Sequence, residues 1–415
     1  MTTVAQNSLG LYFSVPFCRS KCTYCNFASG VFPASSHVPY VDRLIADLRN
    51  APDWASSMRA DLTLNVDTIY FGGGTPVLLA PELLTRIFAE IRDQFQVDAD
   101  AEITIECAPG QLSDATLAAM VAAGVNRVSL GVQSFVDKEA ASSGRLHTRA
   151  AVLHDVRRLR DAGITNINLD LLAGLAGQTM ASWRESLAVL VGTRVPHASI
   201  YMLEIDEDSR LGRELLSGGA RYHAELVPSD DAIATMYEET LAAFAAAGLA
   251  QYEISNFARP GFASRHNLRY WHRQPYLGLG LDASSMLRSS DGTVLRATTT
   301  DDLRGYLDGE SAPETAWLGP TQQLEEAWFL GLRLNAGVEV AALRSEFGRD
   351  AVEPGVQVAH RLAQDTLLQF EGRQSSGRFR LTDRGRLLSN EVFAEFLGLG
   401  APEHTRHPEQ LVSVR

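Results

Sequence analysis

The sequence predicts an α/β fold: an open, partial (β/α)6 barrel followed by a small winged-helix-like α+β domain. Three observations carry this. Six short β-rich runs alternate with helical-period segments through the first half, the pattern of βαβ units on a parallel sheet. Six such units are too few to close an eight-fold barrel. Past a stretch rich in Asp, Thr and Gly at 292–319, three helical segments and a hairpin follow.

The β-rich runs cover residues 9–17, 66–72, 102–107, 127–132, 166–172 and 198–205. The helical segments between them cover 40–50, 81–94, 114–123, 149–162 and 180–190. A further long helix with an apolar stripe is expected at 230–247, leading into a Gly- and aromatic-rich stretch that ends near Gly280. Helices are expected again at 321–334, 339–347 and 356–364. A hairpin over 368–381 should turn at Ser375-Ser376-Gly377, and a last helix should run over 383–397. The expected division is a flexible start (1–8), the partial barrel (9–220), an extension of it (221–310), the C-terminal domain (311–400) and a loose tail (401–415).

Bulk properties narrow the class. With 415 residues, 45% of them hydrophobic, the chain can bury a large core. A formal net charge of −13 argues against a generic nucleic-acid binder, which would carry a basic patch. Residues 1–7 show no basic region followed by an apolar stretch, so no signal peptide is expected. No apolar run is long enough to span a bilayer, and a soluble, cytoplasmic protein is expected. Four cysteines in so long a chain do not make a disulfide framework.

Three of those cysteines stand together in Cys18-Arg19-Ser20-Lys21-Cys22-Thr23-Tyr24-Cys25, and the other is Cys107. The C-x3-C-x2-C loop follows the first strand. Three thiolates cannot complete a four-coordinate zinc site, and zinc motifs more often come as paired C-x2-C units. Soft thiolates this close can hold three irons of a cubane 4Fe-4S cluster and leave the fourth iron open to a small molecule.

In a (β/α) barrel the active site lies at the C-terminal ends of the strands, and unusual residues fall there in turn. The second strand ends in Gly72-Gly73-Gly74-Thr75-Pro76, a run that lets a ligand approach the backbone or simply makes a tight turn. Glu106 at the third strand end can accept hydrogen bonds from an amine or ribose, or form a rim salt bridge. Gln133 can read a polar ligand edge or satisfy a loop; Arg145 can hold a carboxylate or lie solvated. Asp170 sits inside an apolar strand, where a carboxylate is costly unless partnered.

The run Tyr12-Phe13-Ser14-Val15-Pro16-Phe17-Cys18 with its cysteine spacing, together with Tyr70-Phe71-Gly72-Gly73-Gly74-Thr75-Pro76, resembles the radical S-adenosylmethionine (SAM) superfamily. More narrowly, residues 9–397 resemble the HemN/HemW group of oxygen-independent coproporphyrinogen III oxidases and their heme-chaperone relatives. The resemblance implies a radical SAM barrel with a HemN-type C-terminal domain. It implies a 4Fe-4S cluster on Cys18, Cys22 and Cys25. It implies SAM held by Tyr12, Tyr24, Gly73, Gly74, Thr75, Glu106, Gln133, Arg145 and Asp170.

Two features separate the branches. Oxidases of the group carry a fourth cysteine two residues after the third, where this chain has Phe27, and a longer segment before the cluster loop. The chaperone branch is therefore expected. His266-Asn267-Leu268-Arg269-Tyr270-Trp271 matches the group's H-N-x-x-Y-W heme motif, which implies heme ligated by His266 and packed on Tyr270 and Trp271, with His272 as an alternative ligand. The other reading of the motif is a core histidine beside two core aromatics. Ala173, Ala176, the run Asp282-Ala283-Ser284-Ser285 and Asn26 depart from the group's pattern. The expected function is a heme chaperone that hands heme to an acceptor protein, with the cluster and SAM governing homodimer formation or transfer. The alternatives are oxidative decarboxylation of coproporphyrinogen III, and a C-terminal docking module on a vestigial radical scaffold.

Overall fold

A computed structural model describes residues 8–309, 311–373 and 377–399. The expected flexible start, the turn residues Ser375 and Ser376 and the expected loose tail fall on or run into residues outside these. The main sheet contains β1 (Leu9–Val15), β2 (Asn65–Gly73), β3 (Gln96–Cys107), β4 (Arg127–Gln133), β5 (Asn166–Ala173), β6 (His197–Met202), β7 (Ala250–Gln251), β8 (Asn256–Ala258), β9 (Tyr276–Gly280), β10 (Ser284–Arg288), β11 (Val294–Thr298) and β12 (Glu314–Leu318). Their order is β12-β11-β10-β9-β1-β2-β3-β4-β5-β6-β8-β7. The run from β9 to β6 is parallel throughout. The flanking pairs are antiparallel. The sheet begins at β12 and ends at β7, so the barrel stays open.

The six expected strands are β1 to β6. A seventh parallel strand, β9, lies on the other side of β1. Its Tyr-Leu-Gly-Leu-Gly sequence does not announce a strand, because glycine weakens the strand signal. The composition shift at 292–319 is not a break in the sheet: β11 and β12 extend its edge there.

Helices α1 (His37–Ser57), α2 (Pro81–Gln94), α3 (Asp114–Ala122), α4 (Asp137–Ser142), α5 (Arg149–Asp161) and α6 (Met180–Thr193) connect the parallel strands. The longer ones turn an apolar stripe to the sheet, as Leu84, Ile87, Phe88 and Ile91 do in α2. Side-chain caps start them where the sequence puts a hydroxyl before the stripe: Ser113, Thr148 and Thr179. Next come α7 (Arg210–Ser217), α8 (Asp230–Ala247), α9 (Arg265–Trp271) and α10 (Leu303–Asp308).

The short α9 closes the barrel from the end where the strands begin. The Glu102 carboxylate accepts the backbone N–H groups of Arg265 (3.1 Å) and His266 (3.0 Å), neutralising orphan donors at the helix start. Arg269 is fully buried and ion-paired with Asp67; its guanidinium also donates to the carbonyls of Ser8 (3.0 Å) and Pro275 (2.9 Å).

The C-terminal part contains α11 (Pro320–Arg333), α12 (Val340–Phe347), α13 (Arg349–Gln364), α14 (Asp383–Leu387) and α15 (Ser389–Ala394). A sheet in the order β13 (Val338–Glu339), β15 (Arg378–Leu381), β14 (Leu368–Glu371) completes the winged-helix-like arrangement. Its own core centres on Trp328, Phe379 and Phe396. Two elements differ from expectation. Helix α13 begins at Arg349 rather than 356 and accommodates Pro354 near its start. The expected last helix is two short ones, because Leu388 leaves helical dihedrals at φ −108°, ψ 32°. This part meets the barrel through ion pairs, Arg273–Glu346 at 2.7 Å and Arg296–Glu326 at 2.8 Å.

Arg269→Ala would leave Asp67 buried without its counter-charge, and denaturant unfolding should show a loss of about 3–5 kcal/mol.

Candidate functional site

The cysteine loop is built on the end of β1. Its backbone is pinned at both ends: Gly30 N–H donates to Pro16 O (2.9 Å) and Cys18 N–H to Gly30 O (2.8 Å). Lys21 Nζ caps the far side on the carbonyls of Phe27 (2.6 Å) and Ser29 (2.8 Å). Thr23 N–H reaches Ser143 O at 3.0 Å, which locks the loop to the segment after α4. Cys18, Cys22 and Cys25 are all half-buried and free; Cys107 is buried apart. Thr75 Oγ1 lies 3.9 Å from Cys18 Sγ and Ser29 Oγ 4.0 Å from Cys25 Sγ.

The Gly72–Gly74 run packs directly against this loop. A Cβ on Gly74 would sit 2.7 Å from Val15 O, so only glycine fits there. Gly74 N–H donates to Val15 O and Thr75 N–H to Phe17 O, both at 2.8 Å. Those donors are spent on the fold, so the tight-turn reading holds for them. Gly73 N–H instead faces the Glu106 carboxylate.

Beyond the loop, the rim residues converge. Tyr70 OH donates to Glu106 Oε1 at 2.8 Å. Burial pushes the Glu106 carboxyl up to about 7, the Asp170 charge adds to this, and Arg145 works against it. Asp170 has the partners its burial demands: Ser129 Oγ at 3.0 Å and Asn168 Nδ2 at 2.6 Å. Arg145 Nη2 donates to Tyr24 OH at 3.1 Å, while its Nε is buried without a partner. Gln133 follows a β-bulge that sets Gly131 opposite Asp170 and Gln133 opposite Leu171. Its φ of +67° is strained for a non-glycine residue. Tyr12 completes the set, with its ring 6.0 Å from Tyr70.

A signal that the sequence reading passed over lies in these strands. Thr68 and Tyr70 on β2, Glu102, Thr104 and Glu106 on β3, and Arg127 and Ser129 on β4 alternate with apolar residues. Asn166, Asn168 and Asp170 on β5 and His197, Ser199 and Tyr201 on β6 do the same. Period two puts every polar member on the inner face of the barrel. There Asn168 bridges Ser129 (2.7 Å) and Ser199 (3.0 Å), Ser199 donates to Asn256 (2.9 Å), and His197 lies 2.7 Å from Asn168 Oδ1. The cavity left among them is about 50 Å³.

The profile of the Radical SAM superfamily matches residues 12–190, and that of the HemN C-terminal domain matches 318–388. A Lactococcus lactis protein named heme chaperone HemW is 34% identical, over 93% of this chain and 96% of its own. Its namesake from Bacillus subtilis is 34% identical, over 93% and 98%, and that from Escherichia coli 31%, over 94% and 98%. This chain belongs to the HemW family of radical SAM proteins. The solved structure of the coproporphyrinogen III oxidase HemN from Escherichia coli shares the fold, with a TM-score of 0.78 at 23% identity over 94% of this chain and 90% of that one.

Membership of the radical SAM superfamily implies a 4Fe-4S cluster and SAM. The residues present fit both. Burial raises the Cys18 thiol, hydrogen bonds with Ser29 and Thr75 work against this, and the neighbouring Cys25 and Cys22 add to it. The unpartnered Arg145 Nε and the ring of Tyr12, Glu106 and Asp170 offer a cationic and an anionic end beside that loop.

The HemW-type H-N-x-x-Y-W segment, expected to hold heme, is α9 itself. His266 is fully buried, with Nδ1 3.0 Å from Thr68 Oγ1 and Nε2 2.8 Å from Tyr270 OH. It stacks on Tyr70 at 5.2 Å. Burial pulls its pKa down to about 3, with Arg269 adding to this, so it is neutral and both nitrogens are taken. Trp271 faces elsewhere, under the Arg333 guanidinium at 4.3 Å. The core-histidine reading describes this arrangement; His272 is exposed. The departures Ala173 and Ala176 lie where Gln178 Oε1 holds the β5–α6 loop by Gly174 N–H at 2.6 Å. Asp282, at φ +52°, begins the turn between β9 and β10. Asn26 donates to Asp206.

His266→Ala should strip two buried hydroxyls of their partner and leave a cavity, lowering unfolding stability by about 2–5 kcal/mol in denaturant melts.

Proposed function

We propose that this chain is a cytoplasmic heme chaperone that binds heme and passes it to an acceptor protein. The observation that carries this is its near full-length kinship with proteins named heme chaperone HemW. One feature of the sequence supports it. Phe27 stands where the oxidase branch has a fourth cysteine. No described helix is long and apolar enough to cross a membrane.

In this reading Cys18, Cys22 and Cys25 hold the cluster, which when reduced supplies the electron for SAM cleavage. Glu106, beside Gly73 and Gly74, takes the SAM amino group, and Arg145 takes its carboxylate near Tyr24. Asp170, Gln133, Thr75 and Tyr12 line the remainder. SAM and the cluster then govern dimerisation or heme release. The second reading, oxidative decarboxylation of a tetrapyrrole propionate, draws on the same intact rim of SAM-type residues.

Anaerobically reconstituted protein should bind hemin and give it up to an apo-heme protein. It should release no carbon dioxide and no substrate-dependent 5′-deoxyadenosine from coproporphyrinogen III with SAM and dithionite. Turnover in that assay, with no hemin uptake, would reverse the assignment. Glu106 must be ionised to hold an ammonium, and its carboxyl protonates as pH falls through about 7. SAM affinity measured by calorimetry should therefore weaken from pH 8 to pH 6, and Glu106→Gln should bind weakly and without that slope.

A further inference from the structure

We propose that the Ser29 hydroxyl donates to the sulfurs that hold the cluster and so sets how readily the cluster is reduced. This rests on the reading of Cys18, Cys22 and Cys25 as the cluster ligands, and it adds a positioning residue outside that set.

Ser29 is buried, 8% exposed, on the return of the cysteine loop. Its backbone is held on both sides: the N–H donates to Phe27 O at 2.6 Å, and the carbonyl accepts Lys21 Nζ at 2.8 Å. The next residue, Gly30, is tied twice, to Pro16 O and by Cys18 N–H. On another side Leu211 N–H of α7 donates to Thr23 O at 2.9 Å and Arg210 Nη1 to Lys21 O at 3.1 Å, so α7 begins on the cysteine loop. Held this way, Ser29 Oγ lies 4.0 Å from Cys25 Sγ and hydrogen-bonds Cys18 as well.

Two observations give that hydroxyl its task. A serine side chain in a loop commonly bonds a nearby backbone group. Among the described residues this one bonds none, and its partners are Cys25 and Cys18. The three sulfurs are also unequally supplied. Cys18 has Thr75 Oγ1 at 3.9 Å besides Ser29. Cys22 lies beside the Tyr24 hydroxyl and the Arg145 charge. Cys25 Sγ has Ser29 alone among the described residues. A thiolate has no proton to give, so in the cluster-bearing protein the serine is the donor. Reduction adds one electron and makes the sulfurs more negative. A donor aimed at them stabilises the reduced state more than the oxidised one and raises the potential. Ser29 thus lets a weaker one-electron reductant load the cluster.

The test is a dithionite titration of the anaerobically reconstituted full chain with redox mediators, followed by the EPR signal of the reduced cluster, beside Ser29→Ala and Ser29→Thr. All three should hold the same iron and sulfide. At the wild-type midpoint the ratio of reduced to oxidised cluster should fall about three- to tenfold in Ser29→Ala, a shift of about 30–60 mV to more negative potential at 59 mV per decade. Ser29→Thr keeps the hydroxyl and should stay with the wild type. In deuterated buffer, pulsed EPR should show an exchangeable deuteron coupled to the wild-type cluster that Ser29→Ala lacks. An unchanged midpoint in a cluster-bearing Ser29→Ala overturns the proposal and leaves the cluster reading standing. Absence of a coupled deuteron in the wild-type protein overturns it whatever the variants do. A wild-type chain that takes up no cluster overturns both.

Discussion

The buried guanidinium of Arg269 holds together the floor on which the barrel is stacked. It joins α9 to Asp67 of β2, to the carbonyl before β1 and to the carbonyl before β9. A buried charge this well partnered specifies one arrangement, because any other leaves either Arg269 or Asp67 desolvated and alone. Above it sits His266, then Tyr70, then Glu106, each in contact with the next. The rim carboxylate that faces the cysteine loop is thus set from the far end of the barrel.

The two ends of the barrel have different work. The end where the strands begin is sealed by α9 and braced by α11, with Trp271 under Arg333. The end where they finish carries the three cysteines, the glycine turn, Arg145, Asp170 and α7. Between them the interior is polar yet nearly full, since Asn168, Ser129, Ser199, Asn256 and His197 satisfy one another. Burying so many polar groups is tolerable only because they form a connected network.

Much of this was legible beforehand where local chemistry is decisive. The cysteine spacing marks its loop because no packing alternative explains three thiols so close. Asp170 was conspicuous because a carboxylate in an apolar strand needs partners, and it has them. The helix at Pro81–Gln94 starts and stops where its stripe does. His266 was ambiguous because a histidine beside two aromatics reads the same whether it faces a ligand or a core. The last helix misled because nothing in its sequence marks the departure of Leu388.

The sequence by itself determined the βαβ order, the thiolate loop and the residues at the strand ends, since periodicity and spacing are properties of neighbours along the chain. Tertiary structure alone decided that β9 joins β1, that α9 turns its histidine into the barrel floor, and that α7 starts on the cysteine loop. Those outcomes depend on which distant groups satisfy a buried charge or hydrogen bond, and contacts between residues 269 and 67, or 211 and 23, leave no periodic trace in the chain.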